Sequence, residues 1–108
     1  MSGFEDREKG FEAKFHLDQE AEFKVKARRD KLFGLWAAAK LGLPADAAET
    51  YATGLVITDV EKHSDTLLLE KVGKDLAAKG IAVTDADLVG ALDKSAATAR
   101  EQVLTQGR

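Results

Sequence analysis

The sequence predicts an all-α fold, a compact four-helix bundle, on three observations. Its 108 residues include 18 alanines but one proline and no Asn-Gly or Asp-Gly pair, so the usual β-hairpin signals are absent. Apolar residues recur at three- and four-residue spacing in four segments, which is typical of amphipathic helices. The connections between these segments are short, and short connections favour antiparallel neighbours in a bundle.

Four helices are predicted, at about residues 20–42, 45–63, 65–80 and 84–106. Gly42 and Gly80 are suited to end the first and third helices, because glycine readily adopts the left-handed conformation found just beyond a helix. Pro44 stands where the second helix would begin. Thr84 is a suitable N-cap for the fourth helix, whose first turn carries acidic residues that the helix dipole favours.

Each helix has an apolar face that is expected to point into the core. In the first helix this face is expected to contain Phe23, Ala27, Leu32, Leu35, Trp36 and Ala39. Trp36 is expected to be the largest side chain of the core. The third helix is expected to bury Leu68, Leu69, Val72 and Leu76. The fourth is expected to bury Leu88, Val89, Leu92, Ala96, Ala99 and Val103.

Composition and charge exclude several classes of function. The chain has no cysteine, which rules out disulfide scaffolds and cysteine-based zinc sites and suits a cytoplasmic location. Its net charge of −3 disfavours nucleic acid as the main partner. No apolar run approaches the roughly 20 residues needed to span a bilayer, and the acidic start of the chain does not resemble a signal peptide. We therefore expect neither nucleic-acid nor membrane binding, and a monomer when the protein is free.

The sequence offers little support for catalysis. Gly73 and Lys74 are followed by Asp75 and lack the upstream glycine of a phosphate-binding P-loop. The two histidines, His16 and His63, are 47 residues apart, and no serine stands in a nucleophile motif. We expect a protein that is not an enzyme, with no catalytic residue, no metal site and no required cofactor.

The first 31 residues combine dense charge with an aromatic stripe. They contain eight acidic and eight basic residues, a pattern typical of either a solvated helix or a flexible tail. On a helix, Phe4, Phe11 and Phe15 would fall within roughly 40° of one another. Such a narrow stripe needs a groove, either in the rest of this chain or in a partner.

A basic cluster follows the stripe on the first predicted helix. It consists of Lys24, Lys26, Arg28, Arg29 and Lys31. Acidic residues before and among these side chains dilute the cluster, which disfavours nucleic-acid binding. Two interpretations remain, a solvated helix face and a docking site for an acidic protein surface.

The segment from Phe4 to Gly42 resembles a known family. The matching stretches are Phe4–Lys9, Phe11–Phe15, Phe23–Lys24, Ala27–Leu32, Gly34–Ala38 and Leu41–Gly42. They are similar to the ζ subunit family, small proteins of α-proteobacteria that associate with the F1 part of the F-type ATP synthase. The chain length and the start of the fourth helix extend the resemblance over essentially the whole chain.

This resemblance implies a four-helix bundle, residues 20–108, preceded by a mobile or partly helical N-terminal arm, residues 1–19. It implies a regulatory subunit that inhibits ATP hydrolysis by F1-ATPase, with the arm entering a catalytic α/β interface as a helix. The inhibitory contacts would come from Phe4, Arg7, Glu8, Phe11, Lys14 and Phe15. Secondary contacts would come from Phe23, Lys24, Arg28 and Arg29.

The partners implied are the α and β subunits of F1-ATPase, with the γ subunit as a further candidate, at the membrane-bound ATP synthase. Three alternatives remain open. The bundle would bind ATP or ADP, as some family members are associated with nucleotides, although no residue here identifies such a site. The chain would associate with F1-ATPase and inhibit it little or not at all. Or it would serve as a helical adaptor for another protein.

Overall fold

A computed structural model describes residues 19–106, and in this range the chain forms four α-helices and no strand. We number them α1 (Gln19–Leu41), α2 (Ala45–Lys62), α3 (Asp65–Ala78) and α4 (Asp85–Gln106). The predicted all-α four-helix fold is confirmed, and each of these helix ends lies within two residues of its expected position. None of the four helices is long and apolar enough to cross a membrane. The first 18 residues of the arm lie outside the described range.

Glycines end α1 and α3 through the same backbone arrangement. Gly42 has a φ of 76° and Gly80 a φ of 74°, both in the left-handed region. After Gly42, the N–H of Leu43 donates to the carbonyl of Ala38 at 3.0 Å, and the corresponding bond after Gly80 is 2.9 Å. This Schellman arrangement satisfies carbonyls that a helix end would leave without a donor. The expected role of the two glycines is confirmed.

Side-chain caps begin α3 and α4. The hydroxyl of Ser64 accepts a hydrogen bond from the N–H of Leu67 at 3.2 Å. The hydroxyl of Thr84 accepts from the N–H of Asp87 at 3.0 Å, while the Asp87 carboxylate accepts from the N–H of Thr84 at 2.9 Å. These two reciprocal bonds form a capping box, which confirms Thr84 as the N-cap, and they lower the pKa of Asp87.

The core is divided into two clusters along α1, which packs against both α2 and α4. The larger cluster combines the C-terminal half of α1 with the other three helices and contains Phe33, Ala37, Leu55, Leu68, Val72, Leu76, Leu88 and Leu92. The smaller one joins the N-terminal half of α1 to the C-terminal half of α4 through Val25, Ala99 and Val103. The expected inward faces of α3 and α4 are confirmed at most positions, but Val89 is exposed.

The buried face of α1 differs from the expectation. Phe33 is the largest fully buried side chain of the described residues, whereas Trp36 is half-buried and stacks on Phe33 with ring centroids 5.7 Å apart. Phe23 and Ala39 are exposed. The expectation that Trp36 is the largest core side chain is therefore wrong. The physical reason is that α1 has neighbours on two sides and buries a broad face rich in small residues, so a single stripe misplaces its centre.

Helices α1 and α2 approach each other closely at Gly34. A Cβ added to Gly34 would lie only 2.6 Å from the Cα of Ala52. We expect Gly34→Ala to lower the free energy of unfolding by about 1–3 kcal/mol, because the backbone of α2 must move. Gly90→Ala is the matched control: its Cβ would enter open space within α4, so helix propensity should raise stability by about 0.5–1 kcal/mol. Urea unfolding measures both variants, and effects of the same sign would contradict the close approach.

Candidate functional site

The residues expected to contact a partner fall into two sets, of which the structure describes one. The arm residues Phe4, Arg7, Glu8, Phe11, Lys14 and Phe15 lie outside the described residues. The other four, Phe23, Lys24, Arg28 and Arg29, lie on the first three turns of α1. They lie in the half of α1 to which the first 18 residues are joined.

An exposed apolar patch occupies this end of the bundle. The side chain of Phe23 is 58% exposed, and Val60 of α2 is also exposed. Phe23 and Val60 line a small cavity of about 40 Å³ between α1 and α2. Its other lining residues are Lys26, Ala27, Asp30, Asp59 and His63. The expectation that Phe23 points into the core is therefore wrong, and its expected contact with a partner stays a prediction.

The basic cluster of α1 is paired within the bundle. Its partners, with the distances to them, are Glu20 for Lys24 (3.8 Å), Asp59 for Lys26 (3.7 Å), Gln102 for Arg28 (3.3 Å) and Glu49 for Lys31 (2.9 Å). The Lys24 pair is largely exposed and contributes little to stability, whereas the Arg28 hydrogen bond is partly buried. Much of this cluster therefore serves the fold, and docking to an acidic surface stays a prediction.

Arg29 ties three helices together. Its Nε donates to Asp30 Oδ1 at 2.9 Å within α1, and its Nη2 lies 3.5 Å from Asp59 Oδ2 on α2. Its two terminal nitrogens also donate hydrogen bonds to the two carboxylate oxygens of Asp65 at the start of α3, at 2.8 and 3.3 Å. Burial disfavours the charge of Arg29, but its hydrogen bonds to Asp65 and Asp30 outweigh that cost and raise its pKa. The same contacts lower the pKa of Asp65.

We call Lys26, Arg29, Asp30, Asp59 and Asp65 the Arg29 cluster. Asp30 and Asp59 are its buried members, only 1% and 3% exposed. Burial raises the pKa of Asp30 to about 7, and a hydrogen bond to Asp59 adds to the effect while Arg29 opposes it. These two acids were not expected to be functional. The available signal was that both acids stand on the same helix face as a core residue. Asp30 precedes Phe33 by three residues, and Asp59 follows Leu55 by four.

A second concave surface lies between α3 and α4. It is a groove of about 880 Å³ whose floor is mostly apolar, with Ile81, Val83 and Leu88 among its lining residues. Lys74 and Glu70 contribute one positive and one negative charge to the lining of the groove. Within residues 19–106, no group of three or more histidine, cysteine or acidic side chains is arranged to hold a metal ion. Nucleotide binding stays a prediction without an assigned place.

The fold places the chain in the class of small all-α helical bundles. The family model for ATPase inhibitor subunit zeta matches residues 1–102. The chain therefore belongs to this family, which is regulatory rather than catalytic and is associated with the F1-ATPase. Among curated proteins and among solved structures, no significant match to this chain was found.

Proposed function

We propose that this chain inhibits ATP hydrolysis by F1-ATPase through its arm, which enters a catalytic interface between the α and β subunits. The observation that carries the proposal is the family match, which begins at residue 1 and so includes the arm. The bundle would hold the arm at the enzyme surface. Its contacts would come from the exposed end of α1, where Phe23 and Lys24 lie.

The apolar residues of the arm and of the bundle favour different roles for these two parts of the chain. Within residues 19–106 the four helices form two core clusters from their own side chains. The aromatic stripe of the arm (Phe4, Phe11 and Phe15) would supply further apolar side chains for the contact with F1-ATPase. Ordering each arm residue costs about 1–2 kcal/mol of backbone entropy, and burying each phenylalanine returns about 1.5–3 kcal/mol. Burial of the three phenylalanines does not offset the entropic cost of ordering the arm. Contacts between the bundle and F1-ATPase are therefore needed for tight binding.

The decisive experiment compares the full chain with a chain that lacks residues 1–18. Each is titrated into F1-ATPase from the same source, and ATP hydrolysis and binding are measured separately. We expect the full chain to inhibit and the shortened chain to bind weakly without inhibiting. The helical circular dichroism of the shortened chain serves as the control, because residues 19–106 contain the whole described core.

The outcomes distinguish the proposal from its alternatives. Equal inhibition by both chains would move the inhibitory contact onto the bundle and contradict a role for the arm. Binding of the full chain without inhibition would favour an F1-associated protein with little inhibitory activity. If the full chain neither binds nor inhibits, a nucleotide titration monitored by NMR chemical shifts then tests the nucleotide-binding alternative.

The stripe itself gives a sharper prediction. We expect the double variant Phe11→Ala and Phe15→Ala to weaken inhibition by at least about 100-fold, because each side chain contributes about 1.5–3 kcal/mol on burial. The measurement is the concentration that gives half-maximal inhibition of ATP hydrolysis. Val89→Ala is a suitable control, since Val89 is an exposed apolar residue on α4, far along the chain from the arm. Inhibition that survives the double variant unchanged would contradict insertion through the stripe.

A further inference from the structure

The Arg29 cluster carries more negative than positive charge. Three carboxylates, those of Asp30, Asp59 and Asp65, face two cations, Lys26 and Arg29. Asp65 is exposed at the start of α3, but the other two carboxylates are almost fully buried. An uncompensated charge in such a place is costly, and one bound proton would balance the cluster.

The hydrogen bonds indicate where this proton lies. Arg29 approaches Oδ2 of Asp59, whereas the buried Oδ1 of Asp59 has no donor as long as both acids are ionised. A protonated Asp30 can donate to Asp59, which supplies a missing donor. The contacts of Arg29 with Asp30 are to Oδ1, so Oδ2 of Asp30 is the better place for the proton.

We propose that Asp30 and Asp59 share one proton when the bundle is tightly closed, and that loss of this proton to water loosens α1 from α2. The step converts a carboxylic acid bonded to a carboxylate into two carboxylates plus a solvated proton. Two buried negative charges then face each other across the α1–α2 contact. The loosened contact adjoins the cavity lined by Phe23 and Val60, at the end of the bundle that bears the arm.

The charged groups around the pair set the pH range of this switch. Lys26 and Arg29 approach the pair from α1, His63 lines the same cavity at the end of α2, and Asp65 approaches from α3 through Arg29. Helix α4 contributes no ion pair to the cluster in the described part of the chain. The raised pKa of Asp30, about 7, places the loss of the proton near neutral pH.

The direction of the pH effect follows from proton linkage. Between the ordinary pKa of 3.8 and the raised value of about 7, the folded chain keeps a proton on Asp30 that the unfolded chain has lost. Stability therefore falls as pH rises through this window, by up to about tenfold in the unfolding constant per pH unit, and levels off above it. The lowered pKa of Asp65 has the opposite sign, but its contribution changes only at more acidic pH.

The first test is urea unfolding of the full chain at several values from about pH 5 to about pH 8. The wild-type unfolding constant is expected to rise with pH over this range. Asp30→Asn should remove most of this dependence of the unfolding constant on pH, because the amide of the asparagine remains a donor to Asp59 at every pH. The control, Asp93→Asn, changes an exposed aspartate on α4 and should keep the wild-type slope. A wild-type slope equal to that of Asp30→Asn would overturn the proposal.

The second test uses the wild-type protein, so it does not depend on whether a variant folds. The side-chain carboxyl carbons of the full-length wild-type protein are followed by NMR during a pH titration. Asp30 is expected to show its midpoint about three units above the ordinary aspartate value. The backbone signals around Phe23 and Val60 should shift with the same midpoint, since the α1–α2 contact lies beside them. An Asp30 midpoint near the ordinary value would exclude the shared proton.

Discussion

Replacing Phe33 by alanine is expected to lower the free energy of unfolding by about 3–5 kcal/mol. The Phe33 ring is fully buried, stacks on Trp36 and belongs to the larger core cluster, which joins all four helices. Its removal would leave a cavity that helices fixed by short connections can close only in part. Urea unfolding of the wild type and the variant at one pH measures the difference.

Phe23→Ala is the matched control for this variant. Phe23 lies ten residues earlier on the same helix but is 58% exposed, so its removal should cost about 1 kcal/mol or less. For binding to F1-ATPase the proposed contact predicts the opposite ranking of the two variants. Phe23→Ala should weaken binding more than Phe33→Ala does, and by more than the small effect of Phe23→Ala on stability explains. If the two variants destabilise the bundle equally, the described burial of α1 is incorrect.

Arg29→Ala is expected to cost about 3–5 kcal/mol at mildly alkaline pH. The side chain is mostly buried and binds Asp30, Asp59 and Asp65. Without it, Lys26, at 3.7 Å from Asp59, is the remaining ion-pair partner of the two buried carboxylates in the part of the chain that the structure describes. The cost should be smaller at acidic pH, because protons can then neutralise the remaining carboxylates.

The neighbouring Arg28 provides the comparison for this prediction. Arg28→Ala removes the same charge from the same turn but loses one 3.3 Å hydrogen bond to Gln102, for which about 0.5–1.5 kcal/mol is expected. Arg29→Lys keeps the charge and loses the forked geometry, so it should fall between the two alanine variants. Unfolding curves of the three proteins at two pH values separate these effects. A cost for Arg29→Ala no greater than for Arg28→Ala would show that the cluster does not need its guanidinium.

The helices and their ends could be predicted from sequence because each end depends on local chemistry. Gly42 and Gly80 adopt left-handed conformations, and Thr84 forms its capping box with a residue three positions away. The buried face of α3 was also predictable, since this helix has one apolar stripe, with Leu68 and Leu76 fully buried. In each case the deciding interactions lie within about one turn, or along one face, of a single helix.

The buried face of α1 and the Arg29 cluster could not be predicted in the same way. The run of charged residues around Asp30 is typical of a solvated surface and outweighs the indication from its position three residues before Phe33. Its burial depends on the register that brings Asp59 of α2 opposite it, which no local pattern specifies. The exposure of Phe23 likewise depends on where α2 ends. Pairing between helices, rather than helix propensity, decided these positions.

Asp30 sits near the boundary between two unlike halves of the bundle. On the C-terminal side of that boundary, α1 is held by a large apolar core that includes Phe33 and contacts all the other helices. On the other side it is held by the smaller Val25 cluster and by ion pairs centred on Arg29. Apolar contacts are insensitive to protons, whereas the ionic ones respond to them. We therefore expect a change of pH to affect the contacts of α1 nearest the arm more than the apolar contacts beyond Asp30.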